Sequence, residues 1–186
     1  TQPEAVENMV ARAIDTFNRI DVMINNAGGA MFIKPPEKLK PEEWEAAIAL
    51  NLTSVFLCSH AVSQPMIEQK KGKIINISSV AGMRLSPSFV HYGAAKAGVI
   101  NLTKSLAACW GKHNINVNCI APGLTATEGV SQWLPNRTKK DGTPVPPLEF
   151  PPEPEHVAEL AVFLASETSA HISGELFPIR ALTELA

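Results

Sequence analysis

Three short apolar segments leave this chain few folds to choose from. "DVMINN" (21–26), "KIINIS" (73–78) and "INVNCIA" (115–121) each read as a strand, and helical stretches lie between them. Their apolar residues run on rather than alternate, the pattern of strands buried on both faces. Strands that alternate with helices build a parallel sheet covered on two sides. The helices are legible too. Val6, Met9, Val10, Ala13 and Phe17 share one face, behind a capping box of Thr1 and Glu4 around Pro3. A second helix starts at Pro41 with Glu42 and Glu43 in its first turn, and runs to about 68. Its stripe is Trp44, Ile48, Asn51, Leu52, Val55 and Phe56. A third covers about 89–112. A fourth presents Val157, Leu160, Ala161 and Leu164, and "GELFPI" (174–179) is a last strand. Residues 123–152, with prolines at 135, 144, 146, 147, 151 and 152, read as a loop or lid. The expected fold is α/β, a doubly wound parallel sheet.

Composition narrows the function. A chain of 186 residues, 45% apolar, fits a single domain with a real core. A formal net charge of −2 offers no basic footprint for nucleic acid. No apolar run approaches the ~20 residues of a membrane span, and no signal peptide is visible. The expected setting is cytoplasmic. Cys58, Cys109 and Cys119 have no CxxC spacing and read as buried small hydrophobes in a reducing compartment. Five scattered histidines suggest no metal site.

Right-handed crossovers bring the C-terminal ends of parallel strands to one edge, where ligands bind. Asn25 and Asn26 end the first strand, Ser78 and Ser79 the second, and Pro122 and Gly123 follow the third. Tyr92, the one tyrosine, lies near the start of the helix after the second strand. It shares a helix face with Lys96, four residues on. A free phenol has a pKa near ~10 and is a poor acid or base at neutral pH. A neighbouring ammonium lowers it, making Tyr92 a usable general acid/base. Ser79 is placed to hydrogen-bond the same substrate oxygen. Asn51 is a polar residue on an apolar stripe, and a buried amide must find partners. A water held there would extend a proton chain to Lys96. His91, beside Tyr92, is a fainter second candidate, because adjacent helix residues do not face each other. Trp133 and Leu134 are candidates for the substrate wall.

These residues carry a resemblance. The chain resembles the short-chain dehydrogenase/reductase (SDR) family in "NNAG" (25–28), "NLTSVF" (51–56), "INISSVAG" (75–82), Y-x-x-x-K (92–96) and "PGLTAT" (122–127). The resemblance implies a Rossmann-like sheet and a nicotinamide cofactor, NAD or NADP. It implies hydride transfer to or from a small alcohol or ketone, as in a carbonyl reductase or 3-oxoacyl reductase. Tyr92 is then the catalytic acid/base, Lys96 its partner and a ribose ligand, and Ser79 the group that orients the substrate oxygen. Asn51 anchors the relay water. Asn26, Ala27, Gly28, Pro122, Gly123, Thr125 and Thr127 border the cofactor, and Asn25–Gly28 also brace the sheet. The domain is one partial Rossmann-like unit over 1–186, with the lid at 123–152 inside it. Helices 41–68 and 89–112 imply a homodimer or homotetramer of the full-length protein.

Two features depart from the family pattern. Its glycine-rich turn, T-G-x-x-x-G-x-G, does not occur in these residues. The family places it upstream, so this chain is expected to be the C-terminal part of a longer protein, with "DVMINN" on an apolar edge. The last strand leads into "FPIRALTELA" in place of a glycine pair. The alternative reading is a catalytically silent fragment or binding module that keeps the core.

Overall fold

A computed structural model describes residues 1–185. Four strands form one parallel sheet in the order β1-β2-β3-β4: Val22–Asn25, Gly72–Ile77, Ile115–Pro122 and Leu176–Ile179. The register sets Ile24 beside Ile75, Ile75 beside Asn118, and Cys119 beside Leu176. Five α-helices flank it: α1 (Pro3–Phe17), α2 (Pro41–Ile48), α3 (Ser54–Gln69), α4 (Val90–Trp110) and α5 (Pro154–Ala165). The doubly wound α/β expectation holds. The segments 21–26, 73–78 and 115–121 are all strands within a residue or two of the expected ends.

Successive side chains leave a strand on opposite faces. Ile74 and Val117 therefore face α1, α3 and α4, where they join Val10, Val62, Met66 and Ala107. Ile75 and Ile120 face the other way, against Ala161 and Leu164 of α5. Continuous apolar strands are needed because both faces are covered. β1 is the edge strand, and Val22 and Ile24 stand exposed on it, as expected.

A buried amide ladder crosses this core. Asn25 Nδ2 donates to Ser59 Oγ at 3.0 Å and to Asn76 Oδ1 at 2.8 Å. Asn76 Nδ2 donates to Thr103 Oγ1 at 2.9 Å, and Thr103 donates to Val99 O at 2.8 Å. The ladder links α3, β1, β2 and α4, and every rung has a partner, as burial requires. Asn25 thus braces the sheet.

Several expectations need correction. The first helix begins at Pro3 with Gln2 as N-cap and no side-chain cap bond, so Thr1 lies one residue too early for a capping box. The long helix from Pro41 is not one regular helix. A π-helical segment, Ala49–Thr53, joins α2 to α3. The wider turn rephases the stripe. Ala47 and Val55 are buried, while Trp44 and Phe56 at its predicted core positions are about half exposed. By length and composition the combined run Pro41–Gln69 is apolar enough to cross a membrane, contrary to the reading that no such run exists. Here Val55, Val62 and Met66 of that run pack into the two clusters on its face of the sheet. Of the cysteines, Cys119 is buried, Cys58 half-buried and Cys109 exposed, so Cys109 is not a core hydrophobe. Among the described residues no group of three His, Cys, Asp or Glu is placed to hold a metal.

Asn76→Ala should lower unfolding stability by at least ~2 kcal/mol, because Asn25 keeps a buried donor without its acceptor and a void opens. Urea denaturation checks this, and a loss below ~0.5 kcal/mol would mean the ladder is not structural.

Candidate active site

The strand ends deliver the polar residues to one edge. Ser78 continues β2 by donating its N–H to Ile120 O at 2.7 Å, and its hydroxyl donates to Lys96 O at 2.7 Å. In return, Lys96 Nζ donates to Ile77 O at 2.9 Å. Lys96 is therefore held at both its backbone and its ammonium by two consecutive residues of one strand end. It is 3% exposed. This fixes the angular setting of α4, and Tyr92 sits one turn earlier on the same face.

Ser79 begins the next turn in extended conformation. Its hydroxyl oxygen accepts Ala81 N–H at 3.2 Å and caps the 3₁₀ turn Val80–Gly82. That turn lies directly on α4, and the contact needs a glycine. A Cβ on Gly82 would stand 2.6 Å from Ala97 N and from Lys96 C. Any larger residue would push Ser79 away from Tyr92. Phe89 meets Tyr92 edge-on at 5.9 Å between ring centroids. Lys96 Nζ lies 5.6 Å from the centre of the Tyr92 ring.

Electrostatics in this pocket run against the simple expectation. Burial raises the Tyr92 pKa above the ordinary phenol value, and the hydrogen bond with Ser79 only partly offsets it. The Lys96 ammonium, 5.6 Å from the ring centre, does not produce the expected lowering, because burial dominates. Lys96 itself is lowered to about 8, chiefly by burial, with Cys119 opposing weakly. A dry site disfavours both charges.

Asn51 belongs to the π-helical segment and is fully buried. Its Nδ2 donates to Ala47 O at 3.0 Å and Gly29 O at 3.1 Å, and its Oδ1 accepts Gly29 N–H at 2.9 Å. It thereby clasps the loop after β1. A Cβ on Gly28 would lie 2.7 Å from Asn51 Oδ1 and 3.1 Å from Lys96 Nζ, so glycine lets this loop close over both groups. His91 anchors the same loop from the far side. Its Nε2 meets Met31 O at 2.6 Å, and the residue is fully buried.

Two clefts open at this edge. One, about 610 Å³, is lined by Gly28, Ser79, Tyr92, Leu85, Phe89 and Val130 among others. The second, about 680 Å³, includes Asn26, Ile77, Pro122, Thr125, Thr127 and Val157 in its lining. Thr125 and Thr127 border both. Gly123 N–H donates to Ile179 O at 2.8 Å, and Ala126 N–H to Pro152 O at 2.8 Å, which ties together the two ends of segment 123–152. Asn26, Ala27 and Gly28 are exposed at the mouth. The structure thus brings together Asn51, Ser79, Tyr92, Lys96 and the expected border residues. Trp133 is not in the cleft lining, and Val130 takes the wall position. Sequence reading missed segment 84–88, which lines the first cleft. Its signal was the loop chemistry of "AGMRLSPS" between Ser79 and the helix.

A family profile described as enoyl-(acyl carrier protein) reductase matches residues 1–180. The chain is 41% identical to the 3-oxoacyl-[acyl-carrier-protein] reductase of Synechocystis sp. over 95% of its own length and 70% of that protein. The chain belongs to the SDR family. A second relative is the 3-oxoacyl-[acyl-carrier-protein] reductase of Thermotoga maritima, 36% identical over 96% of this chain and 72% of that one. Among solved structures, NAD+-bound xylitol dehydrogenase superposes with a TM-score of 0.86 at 27% identity, covering 97% of this SDR chain and 75% of the other. ElxO with NADP bound gives 0.86 at 27% identity, with coverage of 96% and 73%.

The lowered Lys96 pKa has a consequence for stability. Between the folded value of about 8 and the unfolded value of 10.5, the unfolded chain holds a proton that the folded one has lost. Stability from this group therefore rises with pH across that window and is lowest below it. Lys96→Met should remove this rise, about 1 kcal/mol between pH 7 and 9, while leaving the Ile77 carbonyl without its donor. Unfolding measured at pH 7 and 9 in both proteins checks this. The difference between them cancels the opposite effect of Cys119, whose thiol is raised to about 11. A flat difference would contradict the buried charge.

Proposed function

We propose that this SDR protein is a nicotinamide-dependent oxidoreductase that reduces a 3-oxoacyl thioester or a related ketone. The observation that carries the reading is the convergence of Ser79, Tyr92 and Lys96 beside an apolar cleft. The residues present fit a nicotinamide cofactor. Asn26, Pro122, Thr125 and Thr127 border one cleft, and Lys96 has ammonium protons beyond the one given to Ile77. Related structures hold NAD+ and NADP, which supports either form here. When bound, the cofactor supplies the hydride.

The chain's own residues do the rest. Ser79 hydrogen-bonds the carbonyl oxygen and sets its direction. Tyr92 gives its proton to that oxygen as the carbon is reduced, so a hydroxyl forms and a phenolate remains. Tyr92 holds that proton in the resting site, where burial raises the phenol above its ordinary pKa. Lys96 stabilises the phenolate and holds the ribose. Asn51 secures the loop at Gly28–Gly29 and anchors the relay water that returns the proton. Leu85, Phe89 and Val130 give the acyl chain an apolar wall. Residues 123–152 act as the lid. The assembly is a homodimer or homotetramer through α3 and α4, in the cytoplasm.

Tyr92→Phe keeps the ring and its contact with Phe89 but removes the proton. Assayed in the intact protein with NADPH and NADH on a 3-oxoacyl thioester, it should lose kcat by at least ~10² while unfolding stability stays within ~0.5 kcal/mol. Near-normal turnover would move the acid/base role elsewhere. No turnover by the unsubstituted protein on any ketone would favour a binding module.

A further inference from the structure

We propose that a cleft at the opposite end of the sheet binds a phosphoryl anion. This cleft, about 520 Å³, lies where β2 and β3 begin, so the length of those strands separates it from the Tyr92 site. Lys70, Lys71, Lys73, His171, Ser173 and Glu167 are among its lining residues. Three lysines against one carboxylate leave an excess of positive charge.

The built element is Lys73. It points to the α5 face of β2 and is 5% exposed. An ammonium has three protons to give. The structure gives Lys73 Nζ a single acceptor, the neutral hydroxyl of Ser169 at 3.2 Å. Ser169 donates its own proton to Leu164 O at 2.8 Å and Ser166 O at 3.0 Å, so it meets Lys73 as an acceptor that carries no balancing charge. A buried charge is costly unless paired. The nearby carboxylate, Glu167, pairs with Lys71 at 2.7 Å and is largely exposed. Its charge also favours the Lys73 ammonium, but less than burial disfavours it. Ser173 adds a donor, because its oxygen accepts Val117 N–H at 3.1 Å and its own proton remains to be given. A tetrahedral oxyanion with several acceptor oxygens suits a lysine, a second lysine and a hydroxyl around one cavity. The volume leaves room for a substituent on the phosphoryl group. This inference is independent of the oxidoreductase reading, since none of its residues belongs to the Tyr92 site.

The test is calorimetric titration of the intact protein with inorganic phosphate and, separately, glycerol 3-phosphate, at an ionic strength held constant with chloride. Saturable binding of either is expected, with amide shifts at Asn116, His171 and Ser173. Tighter binding of the ester marks an esterified phosphoryl group as the ligand, and tighter binding of phosphate marks the free ion. Lys73→Met keeps the buried stem and should weaken Kd roughly 10-fold or more, the scale of one charge-assisted hydrogen bond, with turnover unchanged. Lys71→Gln, at an exposed position, serves where Lys73→Met does not fold. It should weaken binding as well, because it releases the Glu167 carboxylate toward the cleft. No saturable binding by either anion, or unaltered affinity in the folded variants, would overturn the proposal.

Discussion

The reciprocal clasp between Lys96 and the end of β2 is the contact on which the site depends. Ser78 donates to the Lys96 carbonyl while Lys96 donates to the Ile77 carbonyl, at 2.7 and 2.9 Å. Each bond satisfies a group that is buried and would otherwise be unpaired. Together they fix both the rotation and the height of α4 relative to the sheet. Ser79 follows Ser78 by one residue, and Tyr92 precedes Lys96 by one turn. Once the clasp forms, their meeting is geometric necessity. The close seat of Gly82 on the Lys96–Ala97 peptide then keeps the Ser79 turn from lifting.

The π-helical segment performs the matching task on the other wall. Asn51 on a regular continuation of α2 would be one more position on the stripe. The wider turn at 49–53 aims it at Gly29, where its amide answers both a backbone donor and a backbone acceptor. A loop that carries the mouth residues Asn26–Gly28 is thereby held from inside the protein, while His91 holds Met31 from a different helix. Two buried polar side chains from two helices pin one short loop. Such preorganisation favours chemistry that needs atoms placed before substrate arrives.

Sequence alone could show the sheet because burial on both faces writes itself as unbroken apolar runs. Ile74, Ile75, Val117 and Ile120 carry that signal. Tyr92 and Lys96 were legible because a fixed spacing on a helix puts them on one face. The rest depends on distances that no periodicity records. Nothing in "NLTSVF" marks a π turn, so Trp44 and Phe56 were placed in a core they only half enter. The close approach of Gly82 to the Lys96–Ala97 peptide leaves no mark on sequence spacing. The outward turn of Cys109 has the same origin: a small apolar residue on a long helix reads alike on either face.

The sign of the Tyr92 shift is the least legible feature, and it bears most on mechanism. Spacing says that a cation is near the phenol, but the sign depends on which part of the phenol the cation faces and on how dry the site is. Here burial wins, so the phenol is raised while Lys96 falls to about 8. Two groups that both resist charging make a pair in which a proton stays on the tyrosine until something removes it. A substrate oxygen that gains negative charge is such an acceptor. The phenolate left behind would then be in the field of the Lys96 ammonium, 5.6 Å from the ring centre, in a low dielectric where that attraction is far stronger than in water. The same dryness that withholds ionisation in the resting site thus rewards it once the proton has moved.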